Sequence, residues 1–284
     1  MPMNGSDVTE NGEKGDWEMG EKDSSKEEVT WEDLRAQVKR LSLMSRNFSS
    51  REESTKTIHC KKCNDSTFRN IEENGRLFSI HCECKETYEI RRRWERSGYS
   101  EVLKEKTLAN YLVEGKAKPI HRAKRMAMHY IENYSKTGPE RGRSIVFVGT
   151  VGAGKTHLCM AIAGELMNRN VGVEYLSYRE AITDLKQNVT SSVNYKKAIN
   201  KFMMAPVLLI DDLFKGKITT SDINIFFEII NHRYLHKKPI IVSSEHSMNR
   251  LVELDGSIGS RIVEMCRGYI IHFDDDTLNH RLNS

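Results

Sequence analysis

The chain has 284 residues, with 44 Lys and Arg against 40 Asp and Glu, so its formal net charge is +4. This length accommodates one substantial α/β domain with smaller additions. No apolar run approaches the roughly 20 residues that a membrane-spanning helix needs, and the acidic, polar N-terminus has no signal-peptide pattern. We therefore exclude a membrane protein and expect a cytoplasmic protein whose six cysteines are reduced.

The first 57 residues differ in composition from the rest of the chain. Residues 1–29 are rich in Gly, Ser, Glu and Asp and hold too few apolar side chains to fold alone, which predicts a disordered acidic tail. In residues 30–57, Thr30 can cap a helix whose apolar side chains recur at helical spacing, which predicts a helix followed by a linker. This helix could bind a partner or pack against its own protein.

Residues 58–86 form a cysteine module. Two cysteine pairs flank a segment that is typical of a β-hairpin turning at Asn74-Gly75. Four thiolates at these spacings predict a tetrahedral zinc site, with reduced thiols or a redox pair as the alternative. His59 and His81 each precede a cysteine and are alternative ligands. The predicted zinc ligands are Cys60, Cys63, Cys82 and Cys84.

Residues 87–118 form a basic connector that we expect to be largely helical. Between Lys85 and Arg143 there are fifteen basic and eight acidic residues, a net charge of +7, and Arg91–Arg93 are consecutive. Such a stretch could contact nucleic acid or an acidic protein face, and a solvated helix surface explains it equally well.

Residues 119–284 are predicted to form an α/β domain. A helix should run from Pro119 to about Tyr134, and from Ser144 onward apolar strands alternate with helical segments. This alternation predicts a mostly parallel central sheet flanked by helices on both faces. The strands are predicted at 144–148, 171–176, 206–211, 239–243 and 268–273.

A glycine-rich segment between the first of these strands and the next helix fits the phosphate-loop pattern G-x-x-x-x-G-K-[ST]. Backbone N–H groups and the positive end of the helix can hold the β-phosphate. Lys155 supplies a charge to the β- and γ-phosphates, and the Thr156 hydroxyl ligates Mg²⁺. The residues expected to contact ATP are Gly149, Thr150, Val151, Gly152, Ala153, Gly154, Lys155, Thr156, His157 and Asp211.

The segment "VLLIDDL" reads as a buried strand that ends in two carboxylates. Asp211 is expected to hold Mg²⁺ together with Thr156, and Asp212 to orient or deprotonate the attacking water. Paired with the phosphate loop, this strand favours an ATPase over a passive nucleotide binder. Lys215 and Lys217 follow it in a loop and are candidates for contacts with the phosphates of DNA.

Two further segments carry polar residues that could act in hydrolysis. In "PIIVSSEHS" another buried strand ends in polar side chains, which can reach the γ-phosphate or the attacking water. The helix "GSIGSRIVEMCRG" carries Arg261 and Arg267. An arginine at a subunit boundary can neutralise charge on the transferred phosphoryl group, although each of the two could instead be an ordinary surface residue.

From about Cys60 to the C-terminus the sequence resembles the bacterial and phage helicase-loader ATPases of the DnaC/DnaI type, within the AAA+ superfamily. The segments that carry the resemblance are "CKKC…CECKETYEIRRRWERSG", "GTVGAGKTHL", "LLIDDL" and "GSRIVEMCRG". The resemblance implies ATP-dependent loading of the replicative hexameric DNA helicase onto single-stranded DNA. It also implies self-association through the ATPase domains and an N-terminal zinc-bearing part that holds the helicase.

The resemblance also implies roles for individual residues. Arg261 matches the arginine finger by its Gly-x-Arg context, and Arg267 or Arg281 matches the second sensor. At the first-sensor position the family usually carries Asn, whereas this chain has Ser243-Ser244-Glu245. Glu245 is therefore a candidate catalytic residue, and we expect slow hydrolysis or a different contact with the attacking water.

Two other functions remain compatible with the sequence: a transposition helper ATPase of the IstB type, and a zinc-dependent adaptor whose nucleotide site only stabilises the fold. A DnaA-type initiator fits less well, because only about eleven residues follow the last predicted strand. We therefore expect neither a helical lid domain nor a DNA-reading helix-turn-helix.

Overall fold

The computed structural model describes residues 58–137 and 143–274 together with Asn279. The predicted acidic tail, the helix and linker up to residue 57, and Arg281 lie outside the described residues. Within the described ranges, no helix combines the length and the apolar character needed to cross a lipid bilayer.

The described chain begins with the cysteine module and two helices. Strands β1 (Phe68–Glu73) and β2 (Arg76–His81) form an antiparallel hairpin. Its turn lies at Asn74-Gly75, as predicted, with positive φ at both residues, as a two-residue hairpin loop requires. Helix α1 (Lys85–Ser97) follows and ends at Gly98, whose left-handed conformation caps it before the short helix α2 (Tyr99–Glu105).

The rest of the described chain builds a parallel sheet. Its strands are β3 (Ile145–Gly149), β4 (Val173–Ser177), β5 (Val207–Asp211), β6 (Ile240–Ser244) and β7 (Ile270–Phe273). All four strand pairings are parallel, in the order β4-β5-β6-β3-β7. The predicted fold class is therefore confirmed, and each strand lies within a few residues of its predicted position.

Helices cover both faces of this sheet. They are α3 (Lys118–Thr137), α4 (Lys155–Asn168), α5 (Tyr178–Asn188), α6 (Ser192–Met204), α7 (Thr220–Leu235), α8 (Met248–Leu254) and α9 (Gly256–Met265). Successive strand residues point to opposite faces, so Ile145 and Phe147 enter one apolar core while Val146 and Val148 enter the other. The first core includes residues of α1, α3 and α4, and the second includes residues of α5 to α9.

Helix α1 packs against β4, the edge strand of the sheet. Trp94 is buried, and its indole N–H donates to the Val173 carbonyl at 2.7 Å. Arg93 forms hydrogen bonds with both carboxylate oxygens of Glu174. The Arg91 guanidinium donates to the Met167 carbonyl at the end of α4. Two arginines of the basic run therefore attach α1 to the α/β domain.

Candidate nucleotide site and cysteine cluster

The phosphate loop connects β3 to α4 and depends on glycine at both ends. Gly149 has a φ of +108°, and a Cβ atom there would lie 2.3 Å from the Phe273 carbonyl oxygen. Gly154 has a φ of +87°, and its Cβ would lie 2.8 Å from the Tyr111 ring. Thr150 donates to the Phe273 oxygen through both its N–H and its hydroxyl. The loop is thus fixed at the N-terminus of α4, where unpaired backbone N–H groups can bind a phosphate.

Lys155 lies inside this loop. The residue is only 5% exposed. Its Nζ donates to the carbonyl oxygens of Gly149 and Thr150 at 2.7 Å each. Burial lowers the pKa of the ammonium group, while the nearby Glu245 and Asp212 carboxylates act in the opposite direction. The structure therefore places a cation where the loop can present it to bound phosphates.

Asp211, at the end of β5, connects the loop helix to the neighbouring strand. Its Oδ1 accepts hydrogen bonds from the hydroxyls of Thr156 at 2.8 Å and Ser243 at 2.5 Å. Burial raises the pKa of the Asp211 carboxyl group, and the two hydroxyl hydrogen bonds oppose that shift. A hydroxyl and a carboxylate in contact offer the oxygen ligands that Mg²⁺ takes beside substrate phosphates, so these two residues fit the metal ion of MgATP.

Asp212 and Glu245 are linked by a lysine. Lys215 Nζ lies 2.9 Å from Asp212 Oδ2 and 2.7 Å from Glu245 Oε1. Hydrogen bonds to Glu245 and Asp212 raise the pKa of the Lys215 ammonium. The structure thus places Lys215 at the nucleotide site, with two carboxylates as partners of its ammonium, and its contact with DNA stays a prediction. Lys217, two residues further on, is exposed.

The three polar residues at the first-sensor position have different roles. Ser243 donates to Asp211, and its Oγ accepts from the Asp212 N–H at 2.9 Å. Ser244 is buried, and its hydroxyl donates to the Leu213 carbonyl at 2.9 Å. Glu245 is the member of this trio that lines the nucleotide cleft.

Several of these groups line one cleft of about 390 Å³, which is within the size range of small-molecule sites. The segment that follows α2 closes one side of it. His157 Nε2 lies 2.8 Å from the Thr107 carbonyl oxygen, and the Tyr111 ring meets the His157 ring edge-on at 5.2 Å. Tyr111 and Asn110 line the cleft, although no motif in the sequence marks them. The polar and aromatic residues lining the cleft include Lys106, Asn110, Tyr111, Lys155, Thr156, His157, Asp212, Lys215 and Glu245.

Arg261 and Arg267 are not among the residues that line the described cleft. The Arg261 side chain donates to the Asn231 side-chain oxygen at 3.1 Å and to the Ser257 carbonyl at 2.8 Å. Its guanidinium also lies over the Tyr234 ring at 5.4 Å, within the range of a cation–π interaction. Arg267 is exposed. Arg261 lies on α9, and its contacts with α7 and α9 hold its side chain in a defined position. This position is outside the nucleotide site of its own chain.

The four module cysteines converge. Their Sγ atoms all lie within 4.8 Å of one another, with Cys60 and Cys82 at 3.8 Å and Cys63 and Cys84 at 3.3 Å. Tetrahedral zinc with Zn–S bonds near 2.3 Å separates its sulfur ligands by roughly 3.8 Å. The thiols therefore fit a structural zinc ion with four protein ligands.

The cysteine module contacts the α/β domain through Asn170. The Asn170 side chain donates to the His59 carbonyl at 3.1 Å, and the Thr87 hydroxyl donates to the Asn170 carbonyl at 3.2 Å. Neither His59 nor His81 belongs to the sulfur cluster, and His81 Nε2 lies 3.1 Å from Lys85 Nζ. Hydrogen bonds at Asn170 therefore connect the cysteine module and the start of α1 to the α/β domain.

Comparison with known proteins relates this architecture to ATPases of mobile elements and of replication. Residues 127–257 match the family model of the IstB-like ATP binding protein. The phage-like element PBSX protein XkdC of Bacillus subtilis is 33% identical over 231 residues, which are 78% of this chain and 86% of that protein. The uncharacterized protein YqaM of Bacillus subtilis is 35% identical over 213 residues, or 72% and 67% of the two chains.

The replicative helicase loader DnaI of Bacillus subtilis is 27% identical over 124 residues, which are 43% of this chain and 39% of the loader. A crystal structure of DnaI superposes with a TM-score of 0.51 and 25% identity, and covers 61% of this chain and 93% of the other. The chain belongs to the helicase-loader-type AAA+ ATPases. This loader-type protein is an enzyme with ATPase activity.

Proposed function

We propose that this loader-type ATPase places a replicative hexameric helicase on single-stranded DNA in an ATP-dependent step of DNA replication. The observation that carries the proposal is the four-cysteine module fixed to the AAA+ core through Asn170 and α1. Its relative DnaI is named a replicative helicase loader, and the resemblance to loaders assigns helicase binding to an N-terminal zinc-bearing part.

The site geometry supports a role for each group in ATP turnover. The loop amides and Lys155 would hold the phosphates, while Thr156 and Asp211 would hold Mg²⁺, which supplies charge neutralisation at the transferred phosphoryl group. Asp212 and Glu245 would orient the attacking water. Turnover would then change the contacts between neighbouring ATPase domains, and loading would follow from that change.

The hairpin offers a surface that could hold the helicase. Four large apolar side chains on its two strands are exposed: Phe68, Ile71, Leu77 and Phe78. Leu77 is 77% exposed. The strand register places Phe68 and Leu77 on one face of the hairpin and Ile71 and Phe78 on the other. Both faces therefore present exposed apolar side chains, which is a feature of protein-binding surfaces. A zinc ion in the adjacent cluster would fix the hairpin that presents them.

Loading is tested on covalently closed circular single-stranded DNA, which a helicase ring can enter only by opening. We expect the host's purified replicative helicase to be recovered on the circles only with this protein and ATP. Leu77→Asp should lose helicase binding and loading, because it replaces the most exposed of these four apolar side chains with a charge. Leu235→Asp is the matched control, since Leu235 is 65% exposed on α7, outside the hairpin. Wild-type protein that neither binds nor loads the helicase would contradict the proposal.

A second function is favoured by the match of residues 127–257 to the IstB-like family model, which is compatible with a transposition helper ATPase. The two functions differ in the partner that the protein binds. Co-purification with a transposase, and not with a hexameric helicase, would support the transposition function. The adaptor alternative requires a nucleotide site without turnover, and ATPase activity excludes it.

Zinc binding is a separate prediction. Cys84→Ser should remove the metal and unfold the hairpin, because a unit of this size depends on its metal for folding. ATP binding should persist, since Asn170 lies beyond the far end of the 14-residue helix α4, whose length separates it from the phosphate loop by about 21 Å at 1.5 Å per residue. Elemental analysis should find one zinc per chain in the wild type and in Cys266→Ala, whose thiol lies outside the cluster. Absence of stoichiometric zinc from the wild type would refute the site.

A further inference from the structure

The turn after β5 brings a second ammonium group to the nucleotide cleft. Lys215 lines the same cleft as Lys155 and Thr156. The two lysines differ in accessibility, because Lys155 is 5% exposed whereas the Lys215 side chain is 35% exposed. Lys155 belongs to the interior of the loop, and Lys215 remains accessible to a ligand that enters the cleft.

The backbone that leads into Lys215 is held by the end of β6 and by His246. The Leu213 N–H donates to the Ser243 carbonyl at 2.8 Å, and the Ser244 hydroxyl donates to the Leu213 carbonyl at 2.9 Å. Phe214 is fully buried, and its carbonyl oxygen lies 3.0 Å from His246 Nε2. A turn fixed in this way loses little further conformational freedom when its lysine binds a ligand. Lys215 is therefore a preorganised cation.

The partners of Lys215 indicate which part of a nucleotide it would meet. An ammonium group has three N–H donors, and Asp212 Oδ2 and Glu245 Oε1 accept two of them. The third donor can serve another acceptor. Asp212 directly follows Asp211, which contacts Thr156 in the arrangement that fits Mg²⁺. Thr156 and Asp211 would hold the Mg²⁺ that neutralises charge at the transferred γ-phosphoryl group, so a donor beside Asp212 lies toward the γ-phosphate end of the triphosphate.

We propose that Lys215 binds the γ-phosphate and makes this site distinguish ATP from ADP. In the nucleotide-free arrangement, the carboxylates of Asp212 and Glu245 hold the ammonium at the cleft. A γ-phosphate oxygen competes with Glu245 for the ammonium, and the carboxylate then becomes available to orient the attacking water. With ADP there is no γ-phosphate, so Lys215 keeps both carboxylates. The inference rests on the ATPase activity and does not depend on the choice of partner.

The experiment compares a triphosphate with a diphosphate in the full-length protein. Isothermal titration with the non-hydrolysable β,γ-imido analogue of ATP, and separately with ADP, is carried out in excess Mg²⁺. Lys215→Ala should weaken binding of the triphosphate analogue about 10- to 100-fold, the range expected for loss of a hydrogen bond to a charged group. ADP affinity should stay at the wild-type value, which also shows that the variant is folded.

Two further variants separate phosphate binding from a structural role. Lys217→Ala removes an exposed lysine of the same turn and should leave both affinities unchanged. Glu245→Gln removes a competing negative charge, so it should maintain or raise affinity for the triphosphate analogue. The proposal is overturned if Lys215→Ala weakens both nucleotides equally or neither of them. It is also overturned if Glu245→Gln reproduces the loss, because Lys215 would then act only by holding that carboxylate.

Discussion

Alanine in place of Lys155 is expected to abolish tight ATP binding. The ammonium is held inside the phosphate loop by two carbonyl oxygens at 2.7 Å, where it can reach the β- and γ-phosphates. Charged hydrogen bonds to two phosphate groups contribute ~1.5–3 kcal/mol each, so the loss in affinity should be roughly 100-fold or more. Equilibrium titration with ATP and with ADP checks this, and both affinities should fall because the β-phosphate is common to them.

Substitution of a second lysine shows whether the loss of ATP affinity is specific to the phosphate loop. Lys104→Ala removes an exposed lysine of α2 that pairs with Glu101, and it should bind ATP like the wild type. The thermal unfolding transition of Lys155→Ala should remain cooperative. The carbonyl oxygens of Gly149 and Thr150, which lose the ammonium, can accept hydrogen bonds from water in the cleft instead. Wild-type nucleotide affinity in a folded Lys155→Ala protein would refute the assignment of the phosphate loop.

The elements that the sequence predicts well are those with local signals. Five apolar segments became β3 to β7, and Asn74-Gly75 became the hairpin turn because both positions need a positive φ that these residues tolerate. The phosphate loop is also predicted by a local signal, because its glycines adopt the positive φ values that the loop needs within a few residues of one another. Convergence of the four thiols also followed from short spacings within a single hairpin.

Contacts between distant segments were not predictable in this way. Helix α1 is amphipathic by pattern, but nothing local shows that Trp94 donates to Val173 or that Arg93 pairs with Glu174. The position of Lys215 depends on a turn in which Asp212 and Phe214 both adopt positive φ. Non-glycine residues rarely do so, and no turn signal in the sequence marks that reversal. The sequence therefore suggested a contact between Lys215 and the phosphates of DNA, and the two carboxylate partners of this lysine became apparent only in the structure.

Arg261→Ala is expected to bind ATP normally and to hydrolyse it poorly. Arg261 lies outside the cleft of its own chain, fixed by Asn231 and Ser257, so we propose that it acts on the nucleotide of a neighbouring subunit. Arginines that stabilise the transferred phosphoryl group contribute on the order of 10³-fold or more in rate. Steady-state ATP turnover measures the loss. Arg250→Ala is the control, because Arg250 is exposed and pairs with Glu253 on α8.

Mixing two inactive variants tests whether Arg261 acts between subunits. Lys155→Ala keeps its arginine but lacks a working phosphate loop, whereas Arg261→Ala keeps the loop and lacks the arginine. In a mixed assembly, some interfaces join an intact loop to an intact arginine, so turnover should return in proportion to those interfaces. A mixture that stays inactive, although cross-linking shows that the two variants assemble together, would mean that Arg261 does not complete its neighbour's site. Activity should also depend on protein concentration, because each site needs two chains.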